Sequence, residues 1–155
     1  MAVAAFAGYI MRERRPYVTG IAAYLTFNGN CREAMTFYKD CLGGDLALQT
    51  VEETPAAASF PPEAKDKIMH AALTSGPITL FASDNLGAGT SAPGSNFSLC
   101  ITCSSEAEVK NLFSKLSAGG KVGHPLEEQF WGAIFGDFTD KFGIRWMTNW
   151  DTPKK

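Results

Sequence analysis

An α+β fold of two βαβββ modules is what this 155-residue sequence predicts. Three observations carry that expectation. A strand–helix–three-strand pattern runs through residues 20–86 and comes round again through 96–150. A shift of 76 positions lays Gly43-Gly44 on Gly119-Gly120, Phe37 on Phe113, and Ala22 to Phe27 on Ser98 to Cys103. Between the copies lies GAGTSAPGSN, Gly87 to Asn96, a Gly/Ser/Pro-rich stretch with a linker's composition, of which 87–95 is taken as the linker.

The elements follow in order. Ile21 to Phe27 alternates as a strand, and Asn28-Gly29-Asn30 turns the chain. Arg32 to Leu42 has helical spacing at Ala34, Phe37, Tyr38 and Cys41, and Gly43-Gly44 supplies a left-handed stop. Leu46 to Glu52, Ile68 to Thr74 and Ile78 to Ser83 read as strands, the last two joined by Ser75-Gly76-Pro77, with the Pro/Ala-rich Thr54 to Ala64 as a long loop. In the second copy a strand over 97–103 leads into a helix opened by Ser104-Ser105-Glu106 and closed by Gly119-Gly120. Strands are expected at Val122 to Glu128, Trp131 to Asp137 and Ile144 to Asn149, with Asp140-Lys141-Phe142-Gly143 as the last turn. Residues 1–19 are expected to be a disordered or tag-like extension with Met11 as an alternative start, and 151–155 a tail.

With 45% hydrophobic and 19% charged residues, the chain is too apolar and aromatic for a disordered protein, and its length suits one core. A net charge of -2 offers no general attraction to nucleic acid or anionic lipid, so neither is expected as a partner. The apolar run Met1 to Met11 precedes its basic residues, the reverse of a secretory signal, and is too short to span a bilayer. A cytoplasmic location with four reduced thiols follows as the expectation. Cys100 and Cys103 are spaced C-x-x-C, but on a strand they point to opposite faces and do not share a metal or a disulfide.

Alternation assigns the faces. Ile21, Ala23, Leu25 and Phe27, with Phe97, Leu99, Ile101 and Cys103, should cover the helices. The opposite faces carry Ala22, Tyr24 and Thr26, then Ser98, Cys100 and Thr102, then Thr79, Phe81 and Ser83, then Arg145, Met147 and Asn149, and these are left to line a cleft. Within it, Tyr24, Phe81 and Trp131 suit an apolar wall, and Thr26, Thr102, Asn149 and Arg145 supply polar groups, as a small-molecule pocket requires. Trp146 and Phe135 read as core. His70 reads first as a hydrogen-bonded structural histidine and second as a general base or displaced metal ligand. His124, beside Glu127 and Glu128, reads as a surface residue before a catalytic one. Cys100 reads as a small buried residue, since no neighbour supplies a base to activate it. Arg145 reads equally as a carboxylate or phosphate fork and as an ion pair at a dimer edge.

The segments FNGNCREAMTFYKDCLGG, MHAALTSGPITLFASD and QFWGAIFGDFTDKFGIRWMTNW resemble the PhnB-like branch of the vicinal oxygen chelate superfamily, which includes glyoxalases, bleomycin-resistance proteins and extradiol dioxygenases. The resemblance covers Gly20 to Trp150 and implies paired βαβββ modules around an open cleft, usually in a homodimer. Metal-using members hold a divalent ion with His or Glu from the first and fourth strands of each module. Those places fall here at Ala22, Phe81, Ser98 and Met147, none a His, Asp or Glu, so the resemblance implies no metal and no cofactor. A methyltransferase label sometimes attached to this branch finds no Gly-rich strand–helix loop to support it. The expectation is therefore a metal-free binder of a small organic molecule. The alternatives are a glyoxalase-like or dioxygenase-like metal enzyme using His70, Glu128 or Asp137, and a non-catalytic dimeric interaction protein.

Overall fold

The computed structural model describes residues 21–153, so the extension expected over 1–19 and the last two residues of the tail lie outside the described residues. The first module runs β1 (Ala23–Phe27), α1 (Cys31–Leu42), β2 (Asp45–Thr50), β3 (Ile68–Ser75) and β4 (Ile78–Asp84). The second runs β5 (Leu99–Thr102), α2 (Glu106–Ser117), β6 (Lys121–Gln129), β7 (Ala133–Thr139) and β8 (Arg145–Asp151). Each module makes one four-stranded sheet of the same topology, β1-β4-β3-β2 and β5-β8-β7-β6. The first strand pairs parallel with the last in each, and the remaining pairs are antiparallel. No described helix is long and apolar enough to cross a membrane.

The double glycines mark the same structural event twice. Gly43 takes φ +74° and stops α1, while a Cβ on Gly44 would lie 2.1 Å from the Thr74 carbonyl oxygen; in the repeat, one on Gly120 would lie 2.2 Å from that of Thr139. Only a glycine lets the chain leave the helix and begin pairing with the third strand this closely.

The faces fall as alternation predicts within the strands, but Ile21 and Phe97, expected to cover the helices, lie before β1 and β5 and are 96% and 64% exposed. Leu25, Phe27, Ala71, Leu73, Leu80 and Ala82 from the first sheet meet Ala34, Met35 and Tyr38 of α1, and the same cluster continues through Val109, Leu112 and Leu116 of α2 to Phe138 and Trp146. One core thus spans both modules. Burying each large side chain in it contributes about 1.5–3 kcal/mol. A polar latch crosses the same junction. The buried Asp140 carboxylate accepts from Tyr38 Oη of the first module at 2.6 Å, and from Trp146 Nε1 at 2.8 Å. The backbone N–H groups of Phe142 (2.9 Å) and Ile144 (3.0 Å) complete its shell.

Three expectations need correcting. β7 starts at Ala133 rather than Trp131, because Phe130-Trp131-Gly132 form the hairpin turn, with Gly132 at φ +84° donating to the Gln129 carbonyl. Phe135 is not core: it lies on the outer face against Trp131. Cys100 is exposed rather than buried, because β5 is an edge strand, whereas Cys103 turns into the core. The long loop also contains two short 3-10 turns, Pro55–Ser59 and Pro62–Ala64.

Candidate functional site

The candidate surface is the outer face of both sheets, opposite the helices. On the first sheet, Tyr24 of β1 pairs with Phe81 of β4, and Phe81 pairs with Ala72 of β3, which places His70 diagonally across from Phe81. The three rings pack together: His70 and Phe81 centroids are 5.5 Å apart, Tyr24 and His70 6.0 Å, Tyr24 and Phe81 6.5 Å. Tyr24 Oη approaches His70 Nδ1 to 3.5 Å. Tyr24 remains 53% exposed and His70 is exposed, so among the described residues nothing covers this aromatic patch.

On the second sheet the register builds rows across the strands. Cys100 pairs with Met147, Met147 with Asp137, and Asp137 with His124; Thr102 pairs with Asn149, and Asn149 with Phe135. Trp131, 54% exposed, stacks edge-on between Phe130 and Phe135 at centroid distances of 5.0 and 6.0 Å. His124 finds its carboxylate not in Glu127 or Glu128 but in Asp137, with Nδ1 2.5 Å from Oδ2. Asn149 donates to Asp151 at 3.0 Å.

Arg145 neither pairs with a carboxylate among the described residues nor stays free. Its Nη1 donates to the Ser95 carbonyl of the linker. Asn28 and Ser91 exchange reciprocal hydrogen bonds of 2.9 and 2.8 Å, so the linker is held by both modules. The space beneath it is a cavity of about 540 Å³ that gathers Tyr24, Thr26 and Arg145 with Phe27, Phe97 and Phe142. Cys100 and Thr102 border a different, more apolar cavity of about 680 Å³ between the modules, with Leu80, Leu99 and Trp146. A third, of about 240 Å³, holds Ser98, Arg145 and Met147. The chain therefore distributes the predicted cleft residues over several openings. His70, Phe81, Trp131 and Asn149 line none of these three.

The thiols divide by environment. Burial, reinforced by the Asp84 carboxylate, pushes the Cys31 thiol up to about 12. Burial, then Glu108, pushes Cys103 up to about 11, and burial raises Cys41. Burial first, then Asp140, keeps the Tyr38 phenol protonated far above its usual range. These groups are inert structural members rather than nucleophiles. Sequence reasoning missed the two buried carboxylates, Asp84 and Asp140, whose only signal is an acidic residue at the end of an apolar strand.

The Glyoxalase/Bleomycin resistance protein/Dioxygenase superfamily model matches residues 20–148. The chain belongs to that superfamily. It is 33% identical over 141 residues to protein YjdN of Escherichia coli K12, an alignment covering 83% of this chain and 93% of that one. Among solved structures it is similar to protein PA1353 from Pseudomonas aeruginosa, with 43% identity, a TM-score of 0.79, and coverage of 88% of this chain and 100% of that one. A PhnB protein from Bacillus cereus shares the fold at 24% identity and TM-score 0.68, over 84% of this chain and 98% of its own.

Within the superfamily, the residues here do not fit the metal. The four positions at which the resemblance places metal ligands carry a methyl group (Ala22), a phenyl ring (Phe81), a hydroxyl (Ser98) and a thioether (Met147). A divalent ion needs three or four nitrogen, oxygen or thiolate donors at bonding distance. The alternative donors do not converge either: His70 stands on the first sheet, whereas Asp137 and Glu128 stand on the second, Asp137 committed to His124. Among the described residues no three His, Cys, Asp or Glu side chains come together to hold an ion.

Proposed function

We propose that this protein binds a small, partly apolar organic molecule on the outer faces of its sheets, without the superfamily's metal, and works as a homodimer. The observation that carries the reading is the packed aromatic patch of Phe81, Tyr24 and His70, at the position where the resemblance places a fourth-strand metal ligand. Flat rings with one phenol and one imidazole at the rim suit an aromatic or aliphatic body bearing a hydrogen-bonding group. Homodimer formation is supported by the sheet edges β1 and β5 and by the aromatic groups that the described residues leave exposed on each sheet.

Two measurements test this. Elemental analysis of protein purified without a chelator or histidine tag, followed by titration of the apo form with zinc, nickel, manganese and iron, is expected to give no stoichiometric metal. Titration with benzyl alcohol, a neutral aromatic probe, is expected to shift the NMR signals of Tyr24, His70 and Phe81 saturably, and Tyr24→Ala to weaken the effect roughly tenfold, the loss of one aromatic contact and its buried area. Stoichiometric metal would overturn the metal-free reading, and a flat probe titration would overturn the binding patch.

A further inference from the structure

We propose that the outer face of the second sheet carries a site for a small oxyanion, a carboxylate or phosphate-type group, built from Lys121, Thr139, Arg145 and Ser98. The inference deepens the ligand-binding reading above and rests on it, giving the bound molecule a negatively charged end.

Strand register places these residues in one row across the sheet. Lys121 of β6 pairs with Thr139 of β7, and Thr139 pairs with Arg145 of β8. Leu99 pairs with Trp146, so Ser98, one residue earlier, comes level with Arg145. Alternation turns the row outward, since the neighbours Phe138 and Trp146 are buried in the core. All four line the same cavity of about 240 Å³. Two cations alternating with two hydroxyls along the row make a donor set suited to a carboxylate or phosphate group: charge from Lys121, a planar fork from Arg145, and directed O–H donors from Thr139 and Ser98.

The charges are available. Among the described residues neither Lys121 nor Arg145 has a carboxylate within 4.0 Å. Arg145 spends one N–H on the Ser95 carbonyl and keeps the remainder of its fork. Asp137 also borders the cavity, but His124 occupies its carboxylate, through Nδ1 at 2.5 Å and the backbone N–H at 3.2 Å. Gly123 makes that capture possible, because a Cβ there would lie 2.1 Å from Asp137 Oδ1. Both oxygens of the one acidic group lining the cavity are thus engaged by His124, which stands next in sequence to the cavity-lining Gly123 and serves as a reporter.

The test is an NMR titration of the full chain with inorganic phosphate and, separately, with acetate. It follows the amides of Lys121, Thr139 and Arg145 and the ring of His124, with His70, the only other histidine, as the internal reference. Saturable shifts at these groups with either anion are expected, with Arg145→Gln and Lys121→Gln each weakening binding roughly tenfold and Lys110→Gln leaving it unchanged. Shifts that never saturate, equal shifts at His70, or an affinity unchanged in both variants would overturn the site. Saturable phosphate or acetate binding with no response to benzyl alcohol upholds this site while the aromatic reading fails. Benzyl alcohol binding without either anion does the reverse.

Discussion

Tyr38 does more for this fold than its place in an aromatic stripe suggests. Its ring packs on Phe37, Phe142 and Trp146, and its hydroxyl supplies one of four donors to a carboxylate on the other module. Tyr38→Phe keeps the ring and removes one donor from a buried charged acceptor, which should cost about 1–3 kcal/mol in a denaturant melt. Glu108 acts at the surface instead. It accepts from the Ser104 N–H at 2.6 Å and hydroxyl at 2.7 Å, and those bonds hold its carboxyl below the usual range, the backbone bond most. A depressed folded-state pKa means that its contribution is whole above the ordinary carboxylate value and is lost as pH falls through the depressed one. The stability difference between wild type and Glu108→Gln should therefore be largest at neutral pH and close as the solution is acidified, as melts across an acid series would read. The residue scale is also where the sequence was least legible. The alternation that turned Tyr24 and Phe81 outward was visible, but the pairing of His124 with Asp137, thirteen positions away, depends on a β6–β7 register with two irregularities that no local pattern encodes.

At the scale of elements, the two copies solve one problem in two ways. α2 is capped locally, with Ser105 Oγ accepting from the Glu108 N–H at 3.1 Å, a motif readable in Ser104-Ser105-Glu106. α1 has no side-chain cap at Asn30. Its first N–H, on Cys31, is satisfied at 3.0 Å by Asp84, which also accepts from Ile68 at 2.8 Å and so ties helix, third strand and fourth strand together. Local signals revealed the first cap and hid the second, because Asp84 lies 53 residues along the chain from its partner. The glycine repeat was legible for a related reason: periodicity exposes positions where both copies meet the same steric demand. Gly120→Ala should destabilise the protein by about 1–3 kcal/mol, the cost of forcing a methyl group against the Thr139 carbonyl, and it should loosen β6 from β7 in amide exchange.

For the molecule as a whole, duplication explains both what the sequence disclosed and what it concealed. Two copies of one pattern made the order of elements along each module legible, since each unit had to bury one face, whereas the order of strands across each sheet came only with the structure. How the units meet was not legible, because Tyr38, Asp140 and Phe142 belong to different copies and no repeat offset relates them. The uncovered Phe97, 64% exposed, and Phe130, 98% exposed, join the outer-face rings in calling for a partner surface. Light scattering at micromolar concentration is expected to return twice the chain mass of 16.7 kDa, and a value equal to that mass would remove the dimer from the proposed function.

The latch between Tyr38 and Asp140 has one more implication. Because the core and its buried hydrogen bonds run from one module into the other, the covalent connection through residues 87–95 is not what keeps the halves together. A chain severed there would still present each half with a surface that satisfies the other's buried groups, so the two pieces should recognise each other as a heterodimer. In that sense the single chain behaves as a permanently tethered pair of subunits.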